Sequence, residues 1–254
     1  LNLVRPYVPR VKSAFPPYSS VVGFLLITFI APPVEFCPNR VPCGPLKTSI
    51  RSISTTSVCK ENGDAIKIPM TEDHPFNNKN FYGATKISSE AMCRAFHDRY
   101  ALNYIGLRYM NVYGPKQDQK AAYNGVIPTL LDKIDDKQPL IIDGNGSQSY
   151  DFIDVKDVAR CNVLALKSKS VDKFYNVGTG KKTSIKSLCK LILNLKKTDT
   201  KIKFKPYKKG DARKQIKNRV SSTGLANKEL KFKYKYSLKA GLKKLISWRK
   251  SLNN

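Results

Sequence analysis

Phe81-Tyr82-Gly83-Ala84-Thr85-Lys86-Ile87-Ser88-Ser89-Glu90 opens a segment in which apolar side chains recur at Ile87, Ala91, Met92, Ala95 and Phe96. That spacing predicts a helix running to about Tyr100 and packed by one face. Residues four apart lie one above the other on a helix, so the Tyr82 phenol and the Lys86 ammonium point the same way. A fixed cation nearby stabilises phenolate, whose acid has an ordinary pKa of roughly 10. A Tyr-x-x-x-Lys pair is therefore suited to taking a proton from an alcohol near neutral pH. The plainer alternative is a surface tyrosine and a solvated lysine on an ordinary helix.

On either side of this helix the chain alternates strands and helices. Ser52 to Val58 is β-branched and rich in hydroxyls, fitting a strand whose end delivers hydroxyls to a site. Asn62 to Asn80 reads as a long loop with turn signals at Asn62-Gly63, Pro69, Pro75 and Asn77-Asn78. After the Tyr82 helix, Asn103 to Tyr109 is strand-like and Gly114-Pro115 is a strong stop. Val126 to Ile134 reads as a helix with Pro128 in its first turn, where a missing N–H is tolerated.

Leu140 to Ile142 and Asp151 to Ile153 read as short strands, with a turn at Asp143-Gly144-Asn145-Gly146 between them. Asp154 is placed to cap a helix carrying Val155, Val158, Ala159, Val163, Leu164 and Leu166 at the helical period. Phe174 to Val177 is a strand, Thr183 a cap for a helix over Ile185 to Leu195, and Lys201 to Phe204 a lysine-heavy strand. A loop at Gly210-Asp211 and two short helices finish the chain. Such alternation predicts an α/β fold, a parallel sheet with helices on both faces.

Composition bounds the partners. Hydrophobic residues make up 41 % of the 254, enough for a true core. The formal charge of +27 is concentrated at one end: residues 181–254 hold 24 Lys/Arg against 3 Asp/Glu, whereas residues 51–180 hold 17 against 15. No nucleic-acid module accompanies the lysines, so the expectation is a solvated face that attracts an anionic substrate, with no nucleic acid as partner. The competing view of this region is an anion- or nucleic-acid-binding surface. The six cysteines form no C-x-x-C pair, and neither His74 nor His97 stands at metal spacing from them. This points to no metal and to a reducing, cytoplasmic compartment.

Residues 1–50 differ from the rest. They are rich in proline and contain one apolar run, Val21 to Ala31, after the basic residues Arg5, Arg10 and Lys12. Eleven residues are too few to cross a bilayer, which takes about 20, so no membrane partner is expected. The run has the length of a signal-peptide core and equally that of a buried strand.

Several ordered motifs together resemble one superfamily. They are Thr55-Thr56-Ser57-Val58, Tyr82-Gly83-Ala84-Thr85-Lys86, Leu107-Arg108-Tyr109-Met110-Asn111-Val112-Tyr113-Gly114-Pro115, the run from Gly144 to Ala159 (GNGSQSYDFIDVKDVA), and Tyr175-Asn176-Val177-Gly178-Thr179-Gly180. This set resembles the extended short-chain dehydrogenases/reductases, in particular their NAD-dependent epimerase/dehydratase family, over roughly residues 51–254. The resemblance implies a partial NAD(P)-binding Rossmann-like parallel sheet with a small C-terminal α/β substrate-binding lobe. Three parts are then expected. Residues 1–50 are an atypical segment, and 51–180 the remainder of the Rossmann-like domain, with lobe insertions at about 115–149. Residues 181–254 form the lysine-rich lobe.

The resemblance also implies roles. Tyr82 is the base for a sugar hydroxyl, Lys86 holds the nicotinamide ribose and favours tyrosinate, and Thr55 shares the substrate hydroxyl. Tyr109 lines the nicotinamide side of the pocket, and Asn111 contacts the sugar nucleotide. Lys208, Asp211 and Arg213 belong to the late loop over the nucleotide. The implied reaction is redox-neutral epimerisation at C4 of a UDP-hexose, with NAD as cofactor and a homodimer built on the Tyr82 helix. The dehydratases of the family need a carboxylic acid pair right after the threonine. Thr56 and Ser57 stand there instead, which favours the epimerases.

Three departures set this chain apart. The Gly-rich turn that seats a pyrophosphate on a helix N-terminus has no counterpart before Arg51, and residues 1–50 are too short for the βα units expected there. Cys59-Lys60 replaces Tyr-Gly, and Tyr150 stands in place of a phosphate-gripping arginine that Lys156 or Arg213 would have to replace. Gly178-Thr179-Gly180 lacks the third glycine and the later acid of a dinucleotide turn, so it is not expected to hold the cofactor. An N-terminally truncated version of the family is the expectation, with a non-catalytic remnant, or another nucleotide-sugar dehydratase or reductase, as alternatives.

Overall fold

The computed structural model describes residues 52–56, 65–76, 81–117, 125–207 and 218–252, the first of these stretches as backbone. In chain order the elements begin with β1 (Ser52–Thr56), α1 (Phe81–Tyr100), β2 (Tyr104–Tyr109), β3 (Asn111–Tyr113), α2 (Val126–Asp135), β4 (Leu140–Asp143) and β5 (Ser149–Tyr150). They continue with β6 (Phe152–Asp154), α3 (Val155–Lys167), β7 (Lys173–Val177), β8 (Thr183–Ser184) and α4 (Ile185–Lys196). The last are β9 (Ile202–Lys205), β10 (Asn218–Arg219), α5 (Gly224–Leu230) and α6 (Leu238–Leu252). The segment 1–50, with its apolar run, lies outside the described residues, as do Cys37, Cys43 and Cys59.

The expected parallel α/β arrangement is present. β1, β2 and β7 form one sheet in that order, with both pairings parallel. Alternation along a strand sends successive side chains to opposite faces, and β2 uses both. Ile105 and Leu107 enter a core with Tyr175, Val177, Cys161 and Ala165, the last two from α3. Tyr104 goes to the other face and packs with Cys93 of α1 and Phe174. Helices therefore cover both faces of the sheet.

Gly106 makes one of these contacts possible. A Cβ there would lie 2.0 Å from the Phe174 ring, so the missing side chain lets that ring approach the strand backbone.

A second core lies beside the first. Ile127, Leu130, Leu131 and Ile134 of α2 meet Leu140 and Ile142 of β4, Leu188 and Ile192 of α4, and Leu242 and Leu245 of α6. The helices here follow the expected apolar period, and Pro128 sits in the first turn of α2. Asp154 caps α3 by accepting from the Lys156 N–H at 2.8 Å.

At α4 the expected cap is corrected. Ser184, not Thr183, accepts from the helix, through the Ser187 N–H at 3.1 Å. Thr183 is taken up in an antiparallel pair with Tyr150.

Cys93, Cys161 and Cys189 are buried. Burial pushes Cys161 up to about 12 and Cys189 up to about 11, which keeps both protonated and unreactive.

The packed face of α1 needs correction. Ile87, Ala91, Met92, Ala95 and Phe96 predict an apolar buried stripe, but the buried residues are Gly83, Lys86, Glu90 and Cys93. Met92 and Phe96 are exposed instead. The physical reason is an ionic partner for Glu90 beneath the helix. Among the described residues no helix is long and apolar enough to cross a membrane, and no group of His, Cys, Asp or Glu is arranged to hold a metal ion.

Candidate active site

Helix α1 carries the pair that the sequence singles out. Lys86 is buried, and its Nζ lies 5.4 Å from the centroid of the half-buried Tyr82 ring. At this separation the ammonium is attracted to the ring face and sits on the side of the helix that meets the sheet. The hydroxyls nearby are satisfied within the helix. Thr85 Oγ1 donates to the Tyr82 carbonyl at 2.8 Å, Ser88 to Ala84 at 3.0 Å and Ser89 to Thr85 at 2.8 Å. Such back-bonding lets a segment this polar remain helical.

Thr55 belongs to β1, and its backbone stands opposite Leu107 of β2 in the parallel register. Its strand is itself one of the two on which α1 rests. Tyr109 ends β2 and points away from α1: its hydroxyl donates to Asn162 Oδ1 of α3 at 2.9 Å. Burial pushes this phenol above its ordinary range, partly offset by the bond to Asn162.

Asn111 opens β3, where its backbone N–H and its side-chain Nδ2 both donate to the Asp151 carbonyl, at 3.0 and 3.1 Å. Lys208, Asp211 and Arg213 lie outside the described residues. Tyr150 packs its ring near Phe152, with centroids 6.2 Å apart, and Lys156 is exposed at the start of α3.

The charged group that sequence reasoning passed over is Arg108. It is 2 % exposed and grips Glu90, itself 1 % exposed, with two prongs. Nε donates to Glu90 Oε1 and Nη2 to Oε2, both at 2.8 Å. Nη1 donates to the Glu72 carbonyl at 2.7 Å. Phe76 and Phe174 flank the guanidinium at 5.4 and 5.3 Å.

Glu72 is held in turn. Its Oε1 accepts from the Asn176 N–H at 2.9 Å, and burial raises its pKa above the ordinary carboxylate value. The one available signal was Glu90, a carboxylate one helical turn beyond Lys86 on the same side.

The turn Gly178-Thr179-Gly180 is filled from within. Asp151, fully buried, accepts from Thr179 N at 2.9 Å, Thr179 Oγ1 at 2.6 Å, Gly180 N at 2.9 Å and Ser221 Oγ at 2.8 Å. Consecutive N–H groups of this kind can cradle a phosphate. Here the chain's own carboxylate takes that place.

The described residues thus fit one end of a dinucleotide. Lys86 and Tyr82 offer a buried cation and a phenol suited to the hydroxyls of a ribose. No Gly-rich turn open to a pyrophosphate occurs among the described residues.

Comparison with known proteins agrees with the motifs. Residues 46–178 match the model of the NAD dependent epimerase/dehydratase family. The chain is 34 % identical over 191 residues to a putative UDP-glucose 4-epimerase of Methanocaldococcus jannaschii, a match covering 75 % of this chain and 60 % of that protein.

Two solved structures share its fold. One is a UDP-N-acetylglucosamine 4-epimerase from Methanobrevibacter ruminantium in complex with UDP-N-acetylmuramic acid, with 30 % identity and a TM-score of 0.72 over 80 % of this chain and 63 % of that one. The other is a UDP-glucose 4-epimerase from Thermotoga maritima with UDP-glucose, with 28 % identity and a TM-score of 0.74 over 80 % of this chain and 64 % of that one. The matched part spans about three-fifths of the length of such relatives.

Proposed function

The chain belongs to the NAD dependent epimerase/dehydratase family, and from that premise we propose that it is a nucleotide-sugar 4-epimerase acting on a UDP-hexose. The observation that carries this reading is the Tyr82–Lys86 pair, a phenol with a buried ammonium 5.4 Å from its ring centroid. The relatives support the substrate class, since a UDP-glucose 4-epimerase and a UDP-N-acetylglucosamine 4-epimerase are among them. Hydroxyls at Thr56 and Ser57, in place of an acid pair, speak against dehydration.

In this reading Tyr82 removes the proton from the sugar hydroxyl and later returns it. Lys86 lowers the cost of the phenolate through its charge and holds the ribose end of the cofactor. Thr55, on the adjoining strand, shares the substrate hydroxyl, and Asn111, Lys208, Asp211 and Arg213 hold the nucleotide sugar. Tyr109, whose hydroxyl is engaged by Asn162 of α3 on the other face of the sheet, is left out of this pocket. NAD, when bound, supplies the acceptor for hydride and returns it. The residues themselves orient the sugar and handle its proton.

The three buried cysteines are in keeping with a reducing, cytoplasmic setting. A homodimer through α1 is supported by the apolar residues this helix leaves outside: Phe81, Met92 and Phe96 are 93 %, 53 % and 38 % exposed. Phe96→Glu should convert such a dimer to monomer in analytical ultracentrifugation; a wild-type chain that sediments as a monomer refutes it.

The test of function is conversion of UDP-glucose to UDP-galactose by the purified chain with added NAD. Turnover that falls roughly 10²–10⁴-fold in Tyr82→Phe supports the proposal, and a wild-type protein that converts nothing overturns it. A second reading, a non-catalytic remnant, is favoured by one observation: Tyr150 stands where the family's phosphate-gripping arginine is expected, and its ring packs near Phe152. It predicts that NAD does not bind and that Tyr82→Phe changes nothing.

A further inference from the structure

We propose that Arg108 is a positioning residue that aims Tyr82 and Lys86 by gripping the chain on both sides of them; this rests on the reading of that pair as the proton-handling centre. The Nη1 and Phe76 contacts hold the loop that leads into α1, through the Glu72 carbonyl at 2.7 Å and the Phe76 ring at 5.4 Å. The Nε and Nη2 contacts hold the helix after the pair, through both oxygens of Glu90 at 2.8 Å. Tyr82 and Lys86 lie between these anchor points, so one guanidinium ties the helix beyond the pair to the loop before it. Phe174, drawn onto Gly106, supplies the floor beneath it.

Three physical points favour aim over mere adhesion. Burying an ion pair costs desolvation, and well-packed apolar side chains of similar volume often hold two elements together as well or better. The two-pronged geometry of arginine on a carboxylate is directional, whereas apolar packing tolerates rotation. Glu90 also lies one helical turn from Lys86, so a carboxylate locked by Arg108 keeps a fixed distance from the ammonium. A displacement of about 1 Å at a reacting group is enough to cost roughly 10²-fold in rate, which gives such a clamp a function.

The experiment uses the full chain and follows the alkaline absorbance change of Tyr82, isolated by subtracting the spectrum of Tyr82→Phe. Lys86→Met sets the scale and should raise the midpoint by about one pH unit, as the stabilising charge is lost. Arg108→Lys keeps the charge but loses the fork, and should raise the midpoint by at least about half as much. The paired change Glu90→Leu with Arg108→Met guards against loss of the fold, since replacing both partners is often neutral in stability. It should unfold near the wild-type temperature and yet show the raised midpoint.

A clamp that serves adhesion alone lowers the unfolding temperature and leaves the midpoint in place. An unmoved midpoint in the folded Arg108 variants, beside a shifted one in Lys86→Met, overturns the positioning role and leaves the Tyr82–Lys86 pair standing. An unmoved midpoint in Lys86→Met overturns the pair, and the positioning role with it.

Discussion

Helices α1 and α4 are held to the protein by opposite means. α4 buries Ile185, Leu188, Cys189 and Ile192, a stripe that water expels. α1 buries Gly83, Lys86, Glu90 and Cys93 while its Met92 and Phe96 remain outside. A helix that turns its charges inward gains little from hydrophobic burial and depends on directed bonds, here the two from Arg108 to Glu90. The contrast teaches that α4 is a structural support, free to be replaced by anything apolar of similar shape, whereas α1 is fastened in one orientation.

Substitutions on the two helices should separate these roles. The largest expected effect is on α1: Tyr82→Phe should lower epimerase turnover by roughly 10²–10⁴-fold, with an unfolding free energy within about 0.5 kcal/mol of wild type. Conversion assays and denaturant titration of the same sample check both halves. On α4 the pattern inverts. Leu188, fully buried, should cost about 2–5 kcal/mol of stability when cut to alanine, measured by denaturant unfolding, with turnover per folded molecule unchanged.

Asp151→Ala tests the junction between the two cores. It removes the acceptor of the Thr179, Gly180 and Ser221 donors and should cost roughly 1–3 kcal/mol through buried donors left unmet. A loss under about 0.5 kcal/mol would mean that water replaces the carboxylate there.

The smallest effect concerns pH and belongs to the α1 side alone. Burial raises the Glu72 pKa above its ordinary value, so the folded chain holds that proton more tightly than the unfolded one. The contribution of this group to stability is therefore present below the ordinary carboxylate pKa and is lost as pH rises through the raised folded value. Glu72→Gln keeps an acceptor for the Asn176 N–H. It should unfold at a slightly higher temperature than wild type above that value and at the same temperature well below it. Melts across the acid range decide the matter; equal temperatures throughout would remove Glu72 as a source of pH dependence.

Much of the second core was legible because its helices follow the apolar period. The limits of α2, α3 and α4 were found within a residue or two. The face of α1 was not, because the same rule assigns the inside to Met92 and Phe96, and periodicity has no means of seeing that a cation waits under Glu90. Arg108 escaped for a related reason. Within Tyr-Ile-Gly-Leu-Arg-Tyr a lone arginine reads as the solvent side of a strand, and its partner lies 18 residues away, beyond any local spacing rule. Tyr82 and Lys86 were legible because one helical turn is enough to bring them together. The cap of α4 was missed by one residue, since Thr183 and Ser184 carry equivalent hydroxyls and only the pairing of Thr183 with Tyr150 separates them.

The buried Asp151 has a practical bearing on dissecting this chain. The family match ends at Gly178, yet the groups that donate to this carboxylate, Thr179, Gly180 and Ser221, all come later. A fragment cut at the family boundary would keep the carboxylate and lose the donors that satisfy it. Excised pieces meant to fold by themselves should run past Ser221.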